Sequence, residues 1–338
     1  MKTEIFGTLG PSCDNTDLLY EMFRRGMTGM RLNLSHTSLE ESRESIARFH
    51  EAARRAGCCG ELLIDMQGPE LRVGRLKQPV ELKDGETVFL SEEAGVPVPE
   101  SVLNALESGD ILLFDDGRLE VKVCSCGDGS AEAAVIRGGF LSGRKSVKIV
   151  NKTVSGPVLT EQDLANIRQA KEYGVTALMQ PFVHGGSQLQ YVRSVLDEEG
   201  CDDIRIFAKI EDRTGMEHLD EIVPQADMIV IARGDLGNDM PLWELPAACH
   251  QIESVCRKYG KPFLMVTQML YTMIGSPVPT RAEVSDIFHA VLEGASAVMV
   301  TNETAAGKFP AEVIRYLANT AKSAEEVRKE EEHAGQSI

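Results

Sequence analysis

Residues 205–237 read RIFAKIEDRTGMEHLDEIVPQADMIVIARGDLG. Two short apolar runs, RIFAKI and MIVIARGD, end in charged groups and flank a segment of helical character. Lys209 and Glu211 close the first run, and Arg233 and Asp235 close the second. Charge at the carboxyl end of buried parallel strands marks the rim where α/β proteins build their sites. Two carboxylates facing a lysine suit a hard divalent cation and an anionic substrate. The plainer alternative is a pair of strand-end salt bridges.

Outward from this stretch, strand candidates recur at EIFGTLG (4–10), GMRLNLS (29–35), ELLIDM (61–66), ALMQPF (177–182), FLMVTQ (263–268) and AVMVTN (297–302). Between them, apolar residues at three- and four-residue spacing predict helices, as in SRESIARFHEAARRAG and TEQDLANIRQAKEYG. Gly26, Gly57, Gly174, Gly200, Gly260 and Gly294 stand where such helices should stop. Eight strands alternating with helices predict an α/β fold, a closed (β/α)8 TIM barrel. An open doubly wound sheet is the alternative, and the regularity of eight units favours closure. About ninety residues after ELLIDM break the rhythm. They contain VELKDGETVFL, ILLFDDGRLEVKV, AEAAVIRGG and KSVKIVNK, which read as a small antiparallel β domain inserted after the third strand. The expected boundaries are 1–68 and 156–325 for the barrel, 69–155 for the insert and 326–338 for a charged tail that frays or stays solvated. An insert beside the rim is placed to act as a lid; a passive insertion is the alternative.

The chain has 338 residues and a net charge of −17, which argues against nucleic acid or an anionic membrane as partner. The opening MKTEIFGTLGPS lacks a signal-peptide core, and no apolar run approaches a membrane span. These features predict a cytoplasmic protein. Its eight cysteines make no zinc pattern and read as reduced structural thiols.

The strand ends supply one polar constellation. Strand two gives Arg31, Asn33, Ser35 and His36, and strand three gives Asp65, with Arg72 just beyond. Strand five gives Lys209 and Glu211, strand six Asp235, strand seven Thr267 and Gln268, strand eight Thr301 and Glu303. In RLNLS a period of two points Arg31, Asn33 and Ser35 the same way.

With these residues in order, the chain resembles the pyruvate kinase family. GTLGPSC, RLNLSH, DMQGPELR, AKIED, ARGDLG, TQML, PTRAEVSD and NETAAGKFP follow the family's sequence of motifs over roughly residues 3–325. The resemblance implies transfer of the phosphoryl group of phosphoenolpyruvate to ADP, giving pyruvate and ATP, as in glycolysis. It implies Mg²⁺ (or Mn²⁺) on Glu211 and Asp235, and K⁺ on Asn33, Ser35, Asp65 and the carbonyl of Met66, with Glu70 of the type found in potassium-dependent members. Lys209 would neutralise the phosphoryl group and the enolate. Arg31 and Arg72 would contact phosphoryl oxygens, and the amides of Gly234 and Asp235 the substrate carboxylate. Thr267 would stand near the carbon that is protonated, acting through water because threonine alone is a poor acid. Pro11, Arg31, Asn33, His36 and Lys145 match positions on the nucleotide side. Asp115 matches an acidic turn of the lid, although a surface turn explains it equally well. The helix bearing PTRAEVSD resembles a surface used for homodimers.

The sequence ends where the family commonly carries a further C-terminal domain, so effector regulation by that domain is not expected. Against the family's TKGPEIR this chain has MQGPELR, with Met66 and Gln67. Against ASFIRK it has QPFVHG, with Pro181, and against SGETAKG it has TNETAAG. An aromatic residue expected after RLNLSH is Glu41. A metal-dependent enolate lyase or aldolase on the same barrel, and a non-catalytic relative binding phosphoenolpyruvate or nucleotide, are the competing readings.

Overall fold

A computed structural model describes residues 2–335 except 36, 70, 116, 151, 153 and 155. Eight parallel strands close into a barrel: Glu4–Thr8, Gly29–Asn33, Glu61–Asp65, Ala177–Gln180, Arg205–Ile210, Met228–Ala232, Phe263–Val266 and Ala297–Met299. They are called strands one to eight below. Each pairs with its sequence neighbours, and strand eight closes on strand one through Glu4↔Ala297 to Phe6↔Met299. Helices occupy the connections, among them Thr16–Arg24, Arg43–Ala56, Glu161–Ala170, Gly186–Glu198, Leu245–Tyr259 and Arg281–Leu292.

The strands are buried on both faces, which is why they read as apolar runs rather than alternating ones. One face fills the lumen with Phe6, Leu63, Met179, Phe207, Val230, Leu264 and Met299. Because side chains alternate, the lumen face continues from Leu63 to Asp65 and from Phe207 to Lys209. The charged groups are therefore the last inward-facing positions of otherwise apolar strands. All six glycines expected to stop helices have positive φ, with Gly57 at 72° and Gly260 at 63° serving as left-handed caps.

Residues 1–67 and 159–338 form one compact unit and residues 68–158 a second. That unit holds a six-stranded sheet, built around the hairpin of Leu119–Gly127 with Ser130–Arg137, and a two-stranded sheet. Its own core includes Leu90, Val102, Leu112, Phe114, Val121 and Ala133.

The C-terminal segment differs from the expectation of a fraying tail. The last helix runs from Pro310 to Gly335 without a break. Its second half is held down: Ala321 and Ala324 are buried, Glu325 accepts the Thr3 amide at 2.5 Å, and Arg328 donates to the Val291 carbonyl at 3.1 Å. The run of charge hid these anchors at the base of the barrel. Among the described residues, no helix is long and apolar enough to cross a membrane. The eight cysteines are free thiols, four of them buried.

Candidate active site

At the carboxyl rim, Lys209 lies between two buried carboxylates. Its Nζ is 3.3 Å from Asp65 Oδ1 and 2.8 Å from Glu211 Oε1. Arg31 grips the other side of Asp65, with Nε at 2.7 Å and Nη2 at 2.6 Å from Oδ2. Burial opposes ionisation of Asp65, yet Lys209 and Arg31 outweigh it and hold the carboxyl below its ordinary range. Burial likewise works against the Lys209 ammonium, but Asp65 and Glu211 reverse the balance and raise it above the usual lysine value. Lys209 therefore stays cationic throughout the physiological range.

Glu211 is fixed from its second oxygen, where Oε2 accepts the Phe182 amide at 2.7 Å. Phe182, just past strand four, adopts φ 48°. Beyond strand six, Arg233–Asp239 forms a short helix, so Gly234 and Asp235 lie in its first turn rather than in an extended strand end. First-turn amides have no acceptor within their own helix. Beyond strand seven, Thr267 and Gln268 adopt φ 80° and 56°. Such backbone costs of order 1–3 kcal/mol per residue and is most unusual for a β-branched side chain. A Cβ added to Gly234 would lie 2.9 Å from Thr267 Cγ2, so glycine is what lets Thr267 sit there. Arg233 donates from Nη2 to the Thr267 carbonyl at 2.8 Å and from Nη1 to Asp286 at 2.8 Å. Glu303 accepts the Thr301 amide at 2.7 Å and the Leu270 amide at 3.3 Å, tying the turns after strands seven and eight together.

Strand two presents Arg31, Asn33 and Ser35 on one partly exposed face, while Leu32 and Leu34 are buried. Asn33 is the register partner of Asp65, and its Oδ1 accepts the Ser35 amide at 3.1 Å. Met66 is buried, with its amide on the Met179 carbonyl. Pro11 lies exposed in the turn after strand one. His36 and Glu70 lie outside the described residues. Arg72 and Lys145 belong to the inserted unit. There Arg72 donates to the Arg144 carbonyl at 2.8 Å and bridges to Ser146, while Lys145 pairs with Asp115 at 2.7 Å. Asp115 is largely buried and has φ 49°, which makes it an anchored turn rather than a plain surface one. The Phe182–Glu211, Arg233–Thr267 and Glu303–Leu270 links escaped sequence reasoning, since each has a backbone group at one end.

The donor chemistry fits the expected cations. Among the described residues no cluster of three or more His, Cys, Asp and Glu forms. Two carboxylates nevertheless suffice for Mg²⁺, which retains waters and takes its remaining ligands from substrate oxygens. A carboxylate offers about four lone-pair sites, so the bonds Glu211 makes to Lys209 and Phe182 leave it acceptor capacity. Asn33 and Asp65 are register partners on adjacent strand ends, one carrying an amide oxygen and the other carboxylate oxygens, the hard donors that suit such a cation.

Residues 1–314 match the family described as pyruvate kinase, barrel domain. The chain is 36% identical over 330 residues to the pyruvate kinase of Geobacillus stearothermophilus, covering 95% of this chain and 56% of that one. Against the pyruvate kinase of Methylorubrum extorquens it is 37% identical over 333 residues, covering 96% and 69%. Against that of Bacillus licheniformis it is 33% identical over 335 residues, covering 96% and 57%. The chain thus spans little more than half the length of the Geobacillus and Bacillus relatives. With a closed eight-stranded barrel and a match running through nearly all of it, the chain belongs to the pyruvate kinase family.

Proposed function

We propose that this chain moves the phosphoryl group of phosphoenolpyruvate to ADP, giving pyruvate and ATP. The observation that carries the reading is the buried, permanently charged Lys209 between Asp65 and Glu211 at the rim. Phosphoryl transfer asks a protein chiefly for positioning and charge neutralisation. Lys209 and Arg31 meet the negative charge of the phosphoryl oxygens. Glu211 and Asp235 would hold Mg²⁺ or Mn²⁺, and Asn33, Ser35, Asp65 and the Met66 carbonyl K⁺. The divalent ion, when bound, supplies Lewis-acid stabilisation of the phosphoryl and enolate oxygens.

An oxygen of ADP attacks phosphorus as the bond to the enol oxygen breaks. Lys209 faces the enolate oxygen left behind. Thr267, lying over Gly234, directs a water that delivers the proton to the methylene carbon, and pyruvate results. The first-turn amides of Gly234 and Asp235 suit the substrate carboxylate. No observation favours a lyase or a non-catalytic binding protein over this reading. The helix Arg281–Leu292 is the proposed homodimer contact, resting on the PTRAEVSD motif.

Four measurements bear on these assignments. Lys209→Met should lower pyruvate formation by at least about two to three decades with the fold retained, the loss typical for a charge-stabilising group; an active variant would remove Lys209 from the chemistry. Replacing potassium by lithium should sharply reduce turnover, and indifference would take Asn33, Ser35 and Asp65 out of a monovalent site. Asp65 has a depressed folded-state pKa, so its contribution to stability is present above its ordinary value of 3.8 and lost as pH falls through the folded value. Asp65→Asn should flatten that acid limb of the melting curve, and an unchanged limb would show that the charge is not coupled to folding. Sedimentation should give a species near twice the 37.0 kDa chain mass; a monomer at all concentrations would exclude the dimer contact.

A further inference from the structure

We infer that Arg233 is a positioning residue: it holds the turn after strand seven in the left-handed conformation that keeps Thr267 over Gly234. The turn is strained at two successive residues, Thr267 at φ 80° and Gln268 at φ 56°, and neither is glycine. Backbone of this kind persists only where its surroundings over-determine it. The far end is held by the Glu303 carboxylate on the Leu270 amide at 3.3 Å. The near end is held by Arg233, whose Nη2 reaches the Thr267 carbonyl at 2.8 Å and Met269 Sδ at 2.8 Å.

The guanidinium is itself anchored. Asp286, on the helix Arg281–Leu292, takes Nη1 at 2.8 Å, and the Arg233 side chain is 17% exposed. A planar guanidinium can serve a carboxylate and a carbonyl at once in fixed geometry, which a flexible ammonium does less well. The residue that follows supplies the space: an alanine Cβ at Gly234 would meet Thr267 Cγ2 at 2.9 Å and Oγ1 at 3.4 Å. Arg233 and Gly234 therefore act as a unit, one fixing the Thr267 backbone and the other admitting its side chain. Arg233 touches no reacting atom in this scheme and acts through Thr267. The consequence for proton delivery rests on the phosphotransfer reading; the conformational clamp does not.

The test compares the full chain with Arg233→Ala and Arg233→Lys in two assays. The first is a crystal structure, where the alanine variant should show Thr267 relaxed to negative φ and withdrawn from Gly234. The second is incorporation of solvent deuterium into the methyl group of pyruvate with ATP and Mg²⁺. It should fall by about 10- to 100-fold in Arg233→Ala, the scale of a small misplacement of a reacting group, with the KM for ADP nearly unchanged and partial recovery in Arg233→Lys. A left-handed Thr267 retained in the alanine variant overturns the inference. So does a loss of exchange matched by an equal rise in the KM for ADP, with no rescue by lysine. If Arg233→Ala does not fold, Asp286→Asn replaces it: reduced exchange supports the clamp and unchanged exchange refutes it. If the unmodified chain neither exchanges pyruvate protons nor makes pyruvate, the phosphotransfer reading falls, and the Thr267 conformation alone decides the clamp.

Discussion

An ammonium buried between buried carboxylates is the constraint on which this barrel's rim depends. Taking such charges out of water costs several kcal/mol per ion, and removing one partner of a buried pair typically costs about 3–5 kcal/mol. Lys209, Asp65, Glu211 and Arg31 must therefore be placed together, Arg31 and Asp65 by paired strands and Lys209 and Glu211 by one strand end, and the curved sheet brings the two pairs into contact. Asp65 ends strand three and Lys209 lies on strand five, with strand four hydrogen-bonded between them. In a flat sheet the two would stand about 10 Å apart at ordinary strand spacing. Closure brings their side chains across the lumen to 3.3 Å. The apolar layer beneath, with Leu63 and Phe207 fully buried, excludes water from the floor of the cluster and raises the weight of every charge in it.

A second feature follows from the same geometry. Strands that end in a packed lumen must turn sharply to reach their helices, and among the described residues two of those turns carry left-handed backbone at non-glycine residues. Phe182 follows strand four, and Thr267 and Gln268 follow strand seven. Each is held by a charged side chain from a neighbouring strand end: Glu211 takes the Phe182 amide, and Arg233 donates to the Thr267 carbonyl. The charges that define the site thus also hold the strained turns around it. Strain of this kind belongs where preorganisation matters, since a turn free to relax would let the site disperse.

The eight strands were legible because each is an apolar run ended by polar residues, and the helix ends because glycine marks a left-handed stop. The closeness of Lys209 and Glu211 was legible because charge at the end of the apolar run RIFAKI has no place in the core. What could not be read is orientation. Asp65, read as a potassium ligand, also contacts Arg31 and Lys209, which no spacing in the sequence foretells. Glu303, read only as one of the polar strand ends, takes backbone amides. No propensity assigns threonine a φ of 80°, because that conformation comes from the tertiary clamp rather than from the residue. The final helix was misjudged for a related reason: EEVRKEEE carries its anchors, Glu325 and Arg328, among residues that look solvated.

The departures from the family's motifs can be weighed in the same terms. Pro181 replaces a serine, but what reaches the site from that segment is the Phe182 amide on Glu211. Proline removes its own N–H and disfavours the helical region for Gln180 before it, leaving the amide one residue on untouched. Gln67 replaces a lysine, and its amide is held by the buried Asp163 at 2.9 Å. Met66 replaces a threonine, and its amide keeps the Met179 carbonyl. At all three positions the contact the fold uses belongs to the backbone, which a change of side chain leaves in place. His184, where the family has arginine, differs in kind: its Nε2 lies 2.8 Å from Asp212, whose other oxygen caps the helix that follows Glu211. An imidazole there makes the contact through one ring nitrogen rather than through a guanidinium. At this position a side chain, and not the backbone, carries the change.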